Sequence, residues 1–459
     1  MAGLALIAPE IILLATAVLA LFADVLVRGR ERAGAWVGAV GAALAAGAAW
    51  LGGQGSVPLF GAVFAIDGAS QVARIATGLL TCLFLMWLAS SGLRRGGERT
   101  YTSLVLFAAL GATLMSGARD WVVLMLSLEV ATMPAYVLMG FERRNDRGLE
   151  GALKYFLLSM IASALFFYGL SFVVGMSGAT AMSATHMEPG LIGAVAAAFI
   201  AAGLLAKLSA APFQWWAPDA YTGAPSPSVA FVSAVPKVAG LLAFARVVQV
   251  LAPQVPSLRP LLVGAALLSM VIGNLAAYPQ TDLRRLMAYS GVAHAGYLLV
   301  GLAAGTPAGL NAALFYALAY AVPSMGVMLV VARHGETLAD LRGLAVRRPS
   351  AAWVTTAMLL SLVGVPPLGG FIGKLYLFTS AMDAGLAWVA GIGIVMSAVS
   401  AGFYFRVIRA MFFESPEGAV EKGAGPKVAS AVVVVCALAT LAIGVMSSPL
   451  VAAISFAKP

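Results

Sequence analysis

About fourteen apolar stretches follow one another along this chain, each close to the ~20 residues that a helix needs to cross a bilayer. They fall at 4–26, 33–51, 72–93, 102–117, 121–141, 152–175, 190–215, 225–250, 258–277, 285–304, 309–332, 352–382, 386–412 and 428–455. Hydrophobic residues make up 61% of the 459 and charged residues 10%, against about 25% charged in soluble domains. The fold class that follows is an all-α polytopic membrane protein. The formal charge of +9 does not point to nucleic acid, because the basic residues gather in short loops and not on one amphipathic face. Cys82 and Cys436 lie far apart in apolar spans and read as small buried hydrophobes. Their spacing suggests no disulfide, iron–sulfur or zinc site. The opening MAGLALIAPE has no basic region or cleavage site and reads as the first span, not a removed signal. Glu10, beside Pro9 in that span, reads as a carboxylate near an interface.

Charge sorts the loops. The odd-numbered ones carry Arg28, Arg30 and Arg32; Arg94, Arg95 and Arg99; Arg143, Arg144 and Arg147; Arg284 and Arg285; Arg333, Arg342, Arg347 and Arg348; and Arg406, Arg409, Lys422 and Lys427. The even-numbered loops and their margins carry only Arg74, Arg119 and Arg259. By the positive-inside rule the odd loops face the cytoplasm. An even number of spans then puts both termini on the opposite side.

Two helices are expected to be broken. The 190–215 stretch runs through Lys207 into Ala211-Pro212, and the 352–382 stretch, too long for one straight crossing, holds Val365-Pro366-Pro367-Leu368-Gly369-Gly370. Proline removes a backbone bond and clashes with the preceding turn. Interrupted membrane helices survive only where protein or a wet cavity satisfies the freed groups. Each break falls in the fourth helix of a five-helix block, 102–250 and 258–412. Five spans per block make the two blocks enter from opposite sides, the pattern of inverted repeats with a transport path at their interface. Residue identity between the blocks is slight, so this expectation rests on spacing and breaks. The rest divides into residues 1–101, with three helices, and a C-terminal helix at 428–455.

Lys207, Lys237 and Lys374 each sit alone inside a long apolar stretch. A charged amine at the bilayer centre costs roughly 2.5–3.5 kcal/mol. Three of them cost on the order of 10 kcal/mol unless water, a carboxylate or a proton equilibrium relieves them. Glu129 is the one carboxylate in the core of WVVLMLSLEVATMPAYVLMG; Lys154 lies near the start of the next span, and His294 is mid-span in YSGVAHAGYLLVG. Such a line of Glu129, Lys154, Lys207, Lys237, His294 and Lys374 is what a proton relay needs. Burial can lower a lysine pKa by about 3–5 units, and a nearby carboxylate restores the charged form. Glu129 with Lys207 then makes a switch, Lys237 the next relay site and Lys374 the exit-side partner, with His294 bridging toward it.

Each of these residues also has a purely structural reading. Lys154 is close enough to a helix end to snorkel. The core lysines could pair with carbonyls, Glu129 could be a plain counter-ion, and His294 could be a satisfied packing histidine. His186 and His334 fall in loops. Asp67, Asp219, Asp282 and Asp383 sit at span ends or in loops, where capping is the default. Arg246, near a span end, reads as snorkelling. Gly- and Ala-rich faces such as GAVGAALAAGAA are helix-packing surfaces.

Several stretches carry a family resemblance. LLAKLSAAPFQWWAPDAYTGAPSPSVAFVSAVPKVAG at 204–240, PPLGGFIGKLYLF at 366–378, LEVATMPAYVL at 128–138, EGALKYFLLS at 150–159 and MAYSGVAHAGY at 287–297 together resemble the antiporter-like membrane subunits of respiratory complex I. The likeness is nearest to the subunit N family of bacterial NADH:quinone oxidoreductase and covers nearly the whole chain. Lysine at 374 favours subunit N, since the sister subunit M tends to carry Glu there and subunit L is much longer. The resemblance implies Glu129 and Lys207 as a coupled pair in the uptake half, Lys154 as a second partner near Glu129, Lys237 as the central lysine and Lys374 as the exit lysine. Gln214 stands where the family often has His. The resemblance also implies that this chain holds no cofactor, with NADH, FMN, iron–sulfur clusters and quinone bound in partner subunits. It implies other membrane subunits as neighbours, and a multi-pass place in the bacterial inner (plasma) membrane with both termini periplasmic.

The function expected is proton translocation along this midplane relay, driven by quinone reduction in the partners. One proton moved against 100 mV costs about 2.3 kcal/mol, and the chain has no energy-releasing reaction of its own. The first alternative is a subunit of a multi-subunit cation/proton antiporter without redox coupling. The second is a membrane scaffold with vestigial charges. A carrier for an anionic metabolite is disfavoured by the absence of a compact cationic pocket.

Overall fold

A backbone in hydrocarbon must bond its own amides, and each apolar run does so by coiling into helix. The computed structural model describes residues 6–26, 32–53, 57–59, 63–93, 97–142, 145–188, 190–415 and 426–456. Its helices are α1 (Ala8–Leu26), α2 (Ala33–Leu51), α3 (Gly68–Ser91), α4 (Glu98–Gly117), α5 (Trp121–Met139), α6 (Asp146–Ser177), α7 (Leu191–Lys207), α8 (Trp216–Gly223), α9 (Ser226–Val232), α10 (Val235–Leu251), α11 (Leu258–Ala277), α12 (Leu283–Ala304), α13 (Pro307–His334), α14 (Leu344–Arg347), α15 (Pro349–Val363), α16 (Gly369–Asp383), α17 (Ala387–Phe413), α18 (Lys427–Val445) and α19 (Ser447–Ala453). Eleven helical stretches among the described residues are long and apolar enough to cross a membrane, and three shorter apolar helices lie at 8–22, 191–207 and 349–363. A small antiparallel hairpin, β1 (Val57–Leu59) with β2 (Phe64–Ile66), precedes α3. Of the loop charges that sort the two sides, Arg28, Arg30, Arg94, Arg95, Arg143, Arg144 and Lys422 lie outside the described residues.

Both expected breaks are present. α7 stops at Lys207 and α8 starts at Trp216; α15 stops at Val363 and α16 starts at Gly369. Each break holds a cis X–Pro peptide, Ala211–Pro212 and Pro366–Pro367. A third interruption departs from the sequence reading. The 225–250 stretch is two helices, α9 and α10, parted at Ser233 and Ala234. Pro236 sits in the first turn of α10, where its missing N–H and its ring prevent a continuous helix. The 428–455 stretch is likewise split, at Met446.

Three charges near helix ends are buried inside the protein. Glu10, in the first turn of α1, is buried and accepts from Arg74 Nε at 2.8 Å and Nη2 at 2.5 Å, joining α1 to α3. Arg246 does not snorkel. It is 1% exposed and donates to Asp67 Oδ2 at 3.1 Å, Asp67 Oδ1 at 2.9 Å and the Ser116 carbonyl oxygen at 2.8 Å. Asp67 does cap α3, in a capping box with Ser70, and it also binds Arg119 at 2.7 Å. Burial pushes the Asp67 carboxyl up, but Arg246, Ser70 and Arg119 outweigh it and hold its pKa at about 2. His334, expected in a loop, is the last residue of α13.

Two helix pairs share one local geometry. Asp120 caps α5 by accepting from Val122 N and Val123 N, and Asp282 caps α12 by accepting from Arg284 N and Arg285 N. A Cβ on Gly111 of α4 would lie 2.2 Å from Ala131 N of α5, and one on Gly273 of α11 would lie 2.3 Å from Ala293 N of α12. The same number of residues separates Asp120 from Asp282, Gly111 from Gly273 and Ala131 from Ala293. Backbone contact this close needs glycine.

Candidate functional site

The cap at Asp120 sets where α5 begins, and so puts Glu129 about midway along it. Thr132 and Tyr136 follow on the same helical face. α7 ends in Lys207, whose Nζ lies 3.3 Å from Glu129 Oε1. That amine also donates to Tyr136 Oη at 3.1 Å and Thr132 Oγ1 at 3.4 Å. Ser163 of α6 donates to the same Glu129 Oε1 at 2.5 Å. Lys207 is 6% exposed and Glu129 15%. Oε2 of Glu129 is buried and has no partner among the described residues. The structure thus brings Glu129 and Lys207 together as one ion pair.

Lys154 stands apart from that pair. It lies nine residues before Ser163 on α6, or ~13 Å along the axis at ~1.5 Å per residue. Its amine meets Glu150 at 2.7 Å and Asp219 at 2.9 Å. Asp219 in turn binds Arg285 of α12 at 2.7 Å. Asp219 is therefore no cap; it sits inside α8 and bridges two cations. Burial pushes its carboxyl up, but the hydrogen bonds from Lys154 and Arg285 prevail and hold it below the usual carboxylate range.

Lys237 occupies the first turn of α10. Its amine donates to the Gly291 carbonyl oxygen at 3.2 Å and lies 5.1 Å from the Tyr320 ring centre. Lys374 of α16 reaches back across the second break. It donates to the carbonyl oxygens of Leu362 at 3.1 Å and Val363 at 2.8 Å, and to Ser397 Oγ of α17 at 2.7 Å. Both lysines are buried.

His294 touches neither lysine directly. Its Nδ1 is 2.7 Å from Tyr316 Oη and its Nε2 is 3.2 Å from Tyr404 Oη, which also bonds Ser290 Oγ at 2.5 Å. The Tyr320 ring centre lies 4.7 Å from the imidazole, beside Lys237. The Tyr297 ring lies 5.7 Å from the imidazole and 5.0 Å from Lys374 Nζ. Sequence reasoning missed these tyrosines. The available signal was Tyr316 and Tyr320, one turn apart in an apolar helix, because a buried phenol keeps a hydroxyl that must find a partner. Gln214, which replaces the family's usual histidine, is buried, and its Oε1 has no partner among the described residues. No group of three or more His, Cys, Asp or Glu among the described residues could hold a metal ion.

Residues 118–400 match the family model described as NADH:quinone oxidoreductase/Mrp antiporter, TM. The chain is 37% identical to a protein of Solibacter usitatus named NADH-quinone oxidoreductase subunit N 1, over 95% of this chain and 93% of that one. It superposes on a chain of respiratory complex I from Thermus thermophilus with bound aureothin at a TM-score of 0.85 and 33% identity, covering 97% of this chain and 99% of that one. A chain of the Mrp complex from Dietzia shares the fold at a TM-score of 0.84 and 22% identity, covering 99% and 96%.

Proposed function

Since the chain belongs to the NADH:quinone oxidoreductase/Mrp antiporter membrane family, we propose that it moves protons across the membrane as a subunit of a quinone-reducing respiratory complex. The observation that carries this reading is the buried Glu129–Lys207 pair, held at 3.3 Å with one carboxylate oxygen left without a partner among the described residues. A proton arriving at that oxygen neutralises Glu129 and frees Lys207 to pass its own proton on. Lys237 receives it. The tyrosine-ringed His294 carries it toward Lys374, from which it leaves. Lys154, which pairs with Asp219, belongs to the uptake side of this route.

Several features support two inverted five-helix blocks at 102–250 and 258–412. They are the paired breaks, the matching caps at Asp120 and Asp282, and the matching glycine contacts at Gly111 and Gly273. In this reading the arginine-rich side faces the cytoplasm and both termini the periplasm of a bacterial inner membrane. NADH oxidation, FMN, iron–sulfur clusters and the quinone site belong to partner subunits.

Glu129→Gln or Lys207→Ala, in complexes assembled to the wild-type level, should lower protons pumped per electron about ten-fold or more. Lys237→Arg should also impair pumping, because arginine does not release its proton. Normal pumping in either Glu129→Gln or Lys207→Ala would remove the assignment. The redox-free antiporter reading is favoured less, since the complex I chain is the more similar of the two solved relatives. Mass spectrometry of the native membrane complex separates the two: flavin and iron–sulfur subunits should co-purify with this chain.

A further inference from the structure

The short helix α8 carries none of the relay residues, yet several contacts fix one of its faces. Trp216 stacks on Tyr155 of α6, with ring centres 4.0 Å apart and planes 10° from parallel. Asp219 lies one turn further on the same face, where it meets Lys154, the neighbour of Tyr155, at 2.9 Å. Its second oxygen binds Arg285 of α12 at 2.7 Å. The surface of α6 admits α8 closely: a Cβ on Gly151 would lie 2.8 Å from the Asp219 carbonyl oxygen and 3.0 Å from Ala220 Cα.

Exposure falls steeply across this contact. Lys154 and Asp219 are 44% and 35% exposed, whereas Trp216 and Tyr155 are each 3% exposed. Inward of the stack, Tyr155 meets Tyr136 edge-on at 4.7 Å, and the Tyr136 hydroxyl is the one that binds Lys207. Trp216 Nε1 donates to the Ala206 carbonyl oxygen at 3.0 Å, beside Lys207. An indole N–H can only donate, and this one is already committed. The stack therefore stands between a partly exposed ion cluster on the arginine-rich side and the Glu129–Lys207 pair.

We propose that the Trp216–Tyr155 stack is a gate that shuts the Glu129–Lys207 pair off from the arginine-rich side, and that Asp219 is the positioning residue that pins it closed through Lys154 and Arg285. This rests on the proton-translocation reading above and adds how access to its first pair is controlled. α8 is bounded by the 208–215 break on one side and Ala224-Pro225 on the other, so it can tilt without unwinding a spanning helix. Asp219 answers to cations on α6 and α12, so a shift of one block against the other pulls on the gate.

A cysteine at Thr132, whose hydroxyl lies 3.4 Å from Lys207 Nζ, reports access to the pair. It would be placed in a background with Cys82 and Cys436 changed to serine, in the assembled complex. Inside-out membrane vesicles would then be treated with a membrane-impermeant methanethiosulfonate, without NADH or quinone. Labelling should be slow with Asp219 and Trp216 intact. Trp216→Ala and Asp219→Asn should each speed it about ten-fold or more, and Asp219→Glu should restore slow labelling. Arg285→Gln, which keeps the Lys154 arm, should act in the same direction and serves if Asp219→Asn does not assemble. Unchanged labelling in Trp216→Ala overturns the gate. Faster labelling in Trp216→Ala that neither Asp219→Asn nor Arg285→Gln shares overturns the role of Asp219. No turnover is involved, so normal pumping in Glu129→Gln would remove the functional reading without altering these rates.

Discussion

The core lysines are not equally supported as cations. Lys207 closes the last turn of α7, and Lys374 caps the last carbonyls of α15; a helix C-terminus carries partial negative charge and favours both. Lys237 stands in the first turn of α10, where the helix end is positive, with one carbonyl and one aromatic ring for company. Its charge is the least stabilised of the three, which suits a site that must accept a proton and give it up. Lys237→Met should therefore cost little in the thermal stability of the assembled complex. Lys207→Met, which strands the Glu129 carboxylate, should cost about 3–5 kcal/mol. Equal losses in a thermal denaturation series would refute the distinction. Asp67→Asn should cost a similar amount, because it removes the negative charge that Arg119 and Arg246 both bind. The Asp67 pKa of about 2 lies below the ordinary 3.8, so its contribution is complete above pH 4 and fades as pH falls toward 2. The stability gap between wild type and Asp67→Asn should thus stay constant from pH 8 to pH 5. The lysines were legible in the sequence because a lone amine in an apolar run has no cheap explanation. Arg246 was misread because its partner is 179 positions away, and nothing local distinguishes a paired arginine from a snorkelling one.

At the level of elements, prolines told where helices stop, but not what the stops are for. The Pro366-Pro367-Leu368-Gly369-Gly370 run marks the second break, and the structure adds why glycine stands at 370. A Cβ there would lie 1.8 Å from the Ser361 carbonyl oxygen, so the start of α16 folds directly against the end of α15. The same fold-back presents the α15 carbonyls to Lys374. Gly370→Ala should force the two half-helices apart, cost about 1–3 kcal/mol or more, and lower pumping along with stability. Gly391→Ala on α17, where a Cβ meets nothing within 4 Å, should leave both unchanged. A Gly370→Ala complex with wild-type melting and pumping would show that the close approach has no energetic weight. The α9–α10 interruption was not anticipated, because Pro236 lies within an otherwise continuous apolar run and flanking residues gave no turn signal. Matching caps and glycines in the two blocks were equally hidden, since their equivalence is one of position and not of surrounding sequence.

Across the whole molecule, the question is whether two halves hold one path or two. On the uptake side the Glu129–Lys207 pair is a direct contact. Beyond Lys237 the groups touch through intermediaries: Tyr320 faces both Lys237 and His294, and Tyr297 faces both His294 and Lys374. Most of the spans were readable from the sequence, because they are properties of runs of residues. The tyrosines that link this second cluster were not, because they come together from α12, α13 and α17, and tyrosine was counted among the hydrophobic residues. If His294 and Lys374 act in one relay, removing either should stop the same flow, and removing both should cost no more than removing one. Effects of residues that act as a unit are strongly non-additive. His294→Gln and Lys374→Ala should each lower protons pumped per electron by about ten-fold, and the double variant should match the lower of the two. A histidine that only packs against its tyrosines would behave otherwise. His294→Gln would then affect assembly and melting, pumping per assembled complex would be kept, and its losses would add to those of Lys374→Ala. The measurement is the pumping ratio of the two single variants and the double, each normalised to assembled complex. It discriminates because a relay limits flow at its weakest link, whereas independent packing defects sum.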